Sequence, residues 1–377
     1  MRARLTAFVR NDVRPALVPW LLARALVVLS LGVARYIFDE IGRGDRPSSL
    51  DDGLFAWDAW HYRRIAEVGY DDAPDDSLRF FPAFPLAARM VGILLSNRGL
   101  GVLVLANASA LVAAALVHFL VRRETHDLRL ARRSVWLIAL LPHMFVLVLG
   151  YSEAMFIALS AGVFLTLRSR RWYWAAALGA VAGATRPFGA LLALPAAIEA
   201  ARAWRQTPPR ELLARATAIA APAVGLASFL VWAAVARGDA LLPLRVQSDE
   251  QLRGGWSDPV SNLLESARDL RAGEHLGAGL HVLWAPVIVV FAVAAARRLP
   301  VAYTAYGAAT VIIALLGDNL ASFERYTFAA IPIVVGAAAV SEWATRSVAD
   351  AWPAILGTSI GLFCCYTILV FLYRIVP

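Results

Sequence analysis

The chain is a succession of apolar runs separated by short clusters of arginine. The runs fall near 16–38, 99–121, 134–150, 153–167, 173–185, 188–201, 216–236, 278–296, 300–316, 326–343 and 353–373. A helix needs about 20 apolar residues to cross the ~30 Å hydrocarbon layer of a bilayer, and inside that layer backbone groups must be satisfied within the segment. The pattern therefore predicts an all-α polytopic membrane protein of about 10–11 transmembrane helices, some of them short. Composition agrees, with 59% of the 377 residues hydrophobic and 17% charged. A soluble core, a nucleic-acid module and a disordered chain are excluded on that ground.

The formal charge of +8 comes entirely from arginine, since the chain has no lysine. In a polytopic protein this basic excess is first a topology signal. Arg122, Arg123, Arg129, Arg132 and Arg133 form one cluster; Arg168, Arg170 and Arg171 a second; Arg202, Arg205, Arg210 and Arg215 a third; Arg297 and Arg298 a fourth. The positive-inside rule places all four in the cytoplasm. Residues 16–38 follow four arginines and read as a retained first span rather than a cleaved signal. The lysine-free composition reads as the codon bias of a GC-rich genome, so the expected location is a bacterial plasma membrane. Cys364 and Cys365 are adjacent within an apolar run, which suits packing and not a disulfide or a metal site.

With the arginine clusters inside, an odd number of passes must link 39–82 to Arg122, which makes 83–96 a half-inserted or interfacial helix. The stretch 173–201 is too long for one upright helix and is interrupted at Thr185-Arg186-Pro187, predicting two short helices meeting at a break. Residues 1–377 then form a single integral membrane domain. The loop 39–82, the turn Tyr151-Ser152-Glu153, the break at Arg186, the loop 237–277 and the Asp318–Arg325 turn all emerge on the extracytoplasmic side.

The densest chemistry lies in Phe55-Ala56-Trp57-Asp58-Ala59-Trp60-His61-Tyr62. On a short helix over 56–67, Asp58, His61, Tyr62 and Ile65 share a face, and the aromatic residues suit the membrane interface. The plain alternative is an interfacial anchor helix with solvated charges. His61 is either an ordinary interfacial histidine or a proton-accepting neighbour of Asp58. Asp51 and Asp52 are oxygen donors of the kind that bind Mg²⁺ or Mn²⁺, or are simply solvated. Glu153 and Arg186 sit at the mouths of apolar helices, where ionisable groups are costly and suggest function, unless they merely pair with each other. Arg325 could pair locally with Asp318 or Glu324. Arginine also holds phosphate through two hydrogen bonds at once, so Arg186 and Arg325 suit a lipid-linked phosphate. Gln247, Asp249, Glu250, Trp256 and Asp258 in the second long loop have no spacing that compels a role. The sequence has no Gly-rich phosphate loop and no zinc spacing.

These residues resemble the PIG-V-like mannosyltransferases. Trp57 to Tyr62, Ile65-Ala66-Glu67-Val68-Gly69-Tyr70 and Phe80-Phe81-Pro82-Ala83-Phe84-Pro85 are similar to that family's first luminal loop. Leu141-Pro142-His143 with Tyr151-Ser152-Glu153, then Thr185-Arg186-Pro187, then Glu324-Arg325-Tyr326, resemble its later motifs in order. Leu141 stands where the family often has asparagine. The resemblance implies a GT-C-like bundle and a glycosyltransferase that moves a sugar, with mannose expected, from a polyprenyl-phosphate donor to a glycan or glycolipid acceptor with inversion. Within it Asp58 is the expected catalytic base. Arg186 and Arg325 are expected on the donor phosphate, and His61, Tyr62 and Glu153 in the substrate pocket. No resident metal is expected beyond the weak pair Asp51 and Asp52. A lipid-linked-sugar flippase or transporter is the alternative, since it too places ionisable groups at helix breaks.

Overall fold

Chain-length arithmetic shapes this bundle: some helices are long enough to cross a bilayer and others stop halfway. A computed structural model describes residues 6–202, 204–248, 254–273, 280–318, 320, 322–348 and 351–377. Its α-helices, in chain order, are α1 (Arg14–Ile41), α2 (Ser48–Asp52), α3 (Asp58–Val68), α4 (Ala83–Leu94), α5 (Arg98–Thr125), α6 (Leu128–Leu140), α7 (Glu153–Leu167), α8 (Trp172–Thr185) and α9 (Ala193–Ala201). They continue with α10 (Pro209–Arg237), α11 (Leu242–Gln247), α12 (Pro259–Ala272), α13 (Trp284–Ala296), α14 (Val301–Leu315), α15 (Phe323–Phe328), α16 (Ile331–Ser347) and α17 (Ala351–Phe371). Among the described residues there is no β-strand, only an isolated bridge between Trp256 and Gly317.

Four helices are long and apolar enough to span a membrane by length and composition: Thr6–Ile41, Arg98–Thr125, Pro209–Arg237 and Ala351–Phe371. The chain is an integral membrane protein. Shorter apolar helices fill the bundle between them. At about 1.5 Å per residue, the 12 residues of α4 reach only about 18 Å, well short of the hydrocarbon thickness. Its Met90 and Leu94 are exposed to the bundle's surroundings.

Without a hydrophobic drive between helices in lipid, close packing comes from small residues. The pair α8 and α10 shows this directly. A Cβ on Gly225 would lie 1.9 Å from the carbonyl oxygen of Ala180, and one on Gly183 would lie 2.0 Å from that of Pro222. That close approach anchors the first half of the broken segment. The break itself falls where the sequence places it: α8 ends at Thr185, Arg186 is extended, and a 3₁₀ turn over Pro187–Leu192 leads into α9. Proline disfavours helical geometry in the residue before it, so Arg186 leaves the helix.

The arginine clusters meet one another through carboxylates at one end of the bundle. Arg168 lies 3.1 Å from Glu124 and 3.5 Å from Glu199, Arg170 pairs with Glu211, and Arg298 pairs with Glu342 and Asp127. At the other end, loop 39–82 is pinned from three sides. Ser49 donates to the Phe371 carbonyl at the end of α17, Arg237 at the end of α10 donates to the Tyr70 carbonyl, and Leu54 accepts from Gly150. Helix α5, about 42 Å long at 1.5 Å per residue, separates the two ends. Asp249 and Glu250 lie outside the described residues.

Candidate active site

Two charged residues of the site are delivered by helices that begin abruptly. Trp57 has φ 60° immediately before Asp58 opens α3, and Ser322 has φ 62° immediately before α15 carries Glu324 and Arg325. A bulky residue rarely adopts positive φ, and such strain concentrates at functional sites. Each entry is held by tertiary bonds. The Trp57 indole N–H donates to the Val370 carbonyl at 3.1 Å, with its ring edge-on to Tyr373, and the Ser322 hydroxyl donates to the Pro377 carbonyl.

The two helix starts face each other. Arg325 Nη1 donates to Asp58 Oδ2 at 2.5 Å, and Arg79 Nη2 stands 3.8 Å from Asp58 Oδ1. The Asp58 backbone N–H donates to the Tyr151 hydroxyl at 3.3 Å. Glu153, buried at the start of α7, lies 2.5 Å from Arg186 Nη1 and 3.4 Å from Arg325 Nε. Tyr326 closes the group, with the Arg186 and Arg325 guanidiniums 5.3 and 5.1 Å from its ring centre.

Thus Asp58, Glu153, Arg186 and Arg325 converge in one place, as their sequence settings suggested. The local alternative for Arg325 does not hold. Its guanidinium reaches across the fold to Asp58 and Glu153, and not to Asp318 or Glu324, because α15 points it away from its neighbours in sequence. The pairing of Glu153 with Arg186 is present, so that reading and the site reading describe the same contact.

Tyr62 and His61 lie around the edge. Tyr62 is buried, its hydroxyl 2.7 Å from that of Ser152 and its ring packed against Phe80 and Phe84. His61 turns to the loop: Nδ1 is 2.9 Å from the Ser77 hydroxyl, Nε2 is 3.7 Å from Asp76, and the ring stacks on Phe80. Arg79, Tyr151 and Ser152 were not assigned roles from sequence. Their signal was adjacency to Phe80-Phe81-Pro82 and to Glu153.

Electrostatics follow from this crowding. Burial raises the Asp58 carboxyl, but Arg325 and Arg79 pull harder and leave it below its ordinary value. Burial lowers His61, and Asp58 and Asp76 only partly offset that, so the ring favours its neutral form. Three guanidiniums (Arg79, Arg186, Arg325) face two carboxylates (Asp58, Glu153), an excess of one positive charge. Neither Glu153 oxygen nor Arg325 Nε has an aligned hydrogen bond, although all three are buried. The spare capacity for an anion lies in the guanidinium donors, Arg325 Nε and Arg186 Nη1, because the Glu153 oxygens can only accept.

Asp51 and Asp52 stand apart. Asp51 is exposed and accepts from Arg46 Nε at 3.0 Å, while Arg46 also pairs with Asp39. Burial and the neighbouring Asp51 raise Asp52.

The chain is 34% identical over 147 residues to GPI alpha-1,6-mannosyltransferase 2 of Rattus norvegicus, covering 36% of this chain and 30% of the rat protein. It is 38% identical over 133 residues to the protein of that name from Cricetulus griseus, covering 32% and 26% respectively. The chain is similar to GPI mannosyltransferase 2. The match spans between a quarter and a third of the length of these curated relatives. No protein-family model matches the chain. Among solved structures, an oligosaccharyltransferase of Archaeoglobus fulgidus in complex with Zn and sulfate aligns with TM-score 0.44 and 16% identity, covering 91% of this chain and 53% of that one. The archaeal oligosaccharyltransferase with an inhibitory peptide and a dolichol-phosphate aligns with TM-score 0.40 and 13% identity, covering 93% and 55%.

Proposed function

We propose that this protein is a membrane glycosyltransferase that transfers a sugar, mannose by its similarity, from a polyprenyl-phosphate donor to an extracytoplasmic glycan or glycolipid acceptor, with inversion. The observation that carries this reading is the meeting of Asp58 with Arg325 and Arg79, next to Arg186 and Glu153, in a group with one excess positive charge.

A polyprenyl-phosphate sugar is a phosphodiester with one negative charge, which matches that excess. It has no nucleotide, so no phosphate loop is needed. In the proposed step the acceptor hydroxyl gives its proton to Asp58 as its oxygen bonds to the anomeric carbon. The bond from that carbon to the phosphate oxygen breaks on the opposite face, and the phosphate leaves with the electron pair. Its charge rises from one to two, and Arg186 and Arg325 stabilise that change where it develops. General-base help contributes roughly 10²–10⁴-fold.

The resting pair of Asp58 with Arg325 fits this sequence of events. A donor phosphate competes for the Arg325 guanidinium, and a carboxylate that loses a paired cation becomes a stronger base. Asp58 would thus become basic when the donor arrives. Tyr62, His61 and Glu153 shape the sugar and acceptor pocket in this reading. A Mg²⁺ or Mn²⁺ ion enters it only through Asp51 and Asp52, and Asp51 is tied to Arg46.

Membranes containing the protein, supplied with radiolabelled polyprenyl-phosphate mannose, are expected to pass label to an acceptor. Movement of intact donor between leaflets without bond cleavage would establish the flippase alternative instead.

A further inference from the structure

Behind the Asp58–Arg325 pair lies a second cluster that the proposed reaction does not use. His143, His281 and Glu324 come from three separate parts of the chain, and their candidate ligand atoms all lie within 4.8 Å of one another. His143 sits in the 3₁₀ turn Pro142–Leu147, His281 in the apolar helix Leu280–Ala296, and Glu324 in α15, one residue before Arg325. All three side chains are buried, at 0%, 2% and 0% exposure.

Burying a carboxylate beside two imidazoles is expensive unless each polar atom has a partner. Protein groups satisfy only part of this cluster. His281 Nδ1 lies 2.7 Å from Glu324 Oε2, a hydrogen bond. His143 Nε2 stands 3.7 Å from that oxygen, too far for one, and neither ring nitrogen of His143 has a hydrogen-bond partner. Glu324 Oε1 has none either. A simple imidazolium–carboxylate pair between His281 and Glu324 would leave His143 wholly unsatisfied.

One cation would give each of the three residues a partner through one ligand atom. Two imidazole nitrogens and a carboxylate oxygen form a donor set that suits zinc, with bonds of about 2.0–2.2 Å. Tetrahedral bonds of that length place ligand atoms roughly 3.3 Å apart, between the 2.7 and 3.7 Å separations found here. The set lacks the all-oxygen character that Mg²⁺ or Ca²⁺ prefers. We infer that His143, His281 and Glu324 bind a zinc-class divalent cation. It would clamp the 142–147 turn to α15 and so hold Arg325 in its direction toward Asp58. The site stands independently of the glycosyltransferase reading.

The test is metal content. The full chain, purified in detergent through a tag without histidine and dialysed against a weak chelator, should retain about one zinc per chain by elemental analysis, as expected of a folded structural site. After stripping with a strong chelator, added Co²⁺ should give the intense visible bands of a four-coordinate site, and zinc should bleach them. His143→Ala and Glu324→Gln should weaken zinc binding by more than about tenfold, since loss even of outer-shell partners costs 10–100-fold. Asp51→Asn should not weaken it. Wild-type protein that holds no zinc and gives no Co²⁺ spectrum would overturn the inference even if the variants fail to fold. Preference for Mg²⁺ or Mn²⁺ over zinc would overturn the cation class.

Discussion

Arg325 Nη1 and Asp58 Oδ2, 267 residues apart in sequence, are joined by a 2.5 Å charge-assisted hydrogen bond. Each sits in the first turn of a short helix entered through a residue with positive φ. The bond thus joins the first loop to the last of the recognised motifs, and Glu153 links that pair to Arg186.

Removing the proton acceptor should silence the reaction without emptying the site. Asp58→Asn removes the charge that competes for Arg325, so donor binding should be retained or tightened while turnover falls by roughly two to four orders of magnitude. Asp51→Asn and Asp52→Asn serve as controls in the same loop. A loss confined to these two, rescued by added Mn²⁺, would move the chemistry to a metal site and away from Asp58.

Arg186 should matter by shape as well as charge. Arg186→Lys keeps the cation but loses the planar fork, so donor affinity should weaken with expression intact. Arg186→Ala should cost about 1.5–3 kcal/mol of donor binding, the range for a hydrogen bond to a charged group. Should Arg186 serve only to lock Glu153, the double variant Glu153→Gln with Arg186→Met would regain activity. That recovery would end the phosphate assignment.

The pH dependence has a definite sign. Burial raises Asp58 and its arginines more than compensate, so its folded pKa lies below the unfolded one. The stability this adds is present above the ordinary carboxylate pKa and is lost as pH falls through the folded value. His61, lowered chiefly by burial, acts in the same direction: its neutral form is favoured, and stability falls as acid protonates it. Thermal unfolding followed from pH 8 downward should show the wild-type chain losing stability on acidification more steeply than His61→Gln. Identical curves would show that His61 carries no such linkage.

Sidedness can be read chemically. In a chain with Cys364 and Cys365 replaced by serine, a cysteine at Asp52 or Trp256 should react with an impermeant thiol reagent applied to intact cells. One at Arg129 or Arg170 should not. The reverse pattern would put the Asp58 site in the cytoplasm and remove the lipid-phosphate donor from consideration.

Much of the architecture could be read directly from the chain because lipid imposes local rules. A run of apolar residues in lipid must satisfy its backbone locally, as a helix does, the residue before Pro187 is biased out of helical geometry so that α8 ends at Thr185, and clustered arginines gather away from the spans. Glu153 and Arg186 were visible for the same reason, since charge beside an apolar helix is costly enough to stand out, whereas Asp58 was marked by the dense Trp57–Tyr62 segment and Arg325 by arginine's fit to phosphate. What those residues touch was a different matter. Arg325 had acids nearby in sequence at Asp318 and Glu324, yet it pairs with Asp58 and Glu153, because α15, entered through Ser322 at positive φ, carries its guanidinium across the fold. The histidine cluster was invisible altogether. His143, His281 and Glu324 follow no local spacing, and only the packing of three separate segments brings their buried nitrogens and oxygens together.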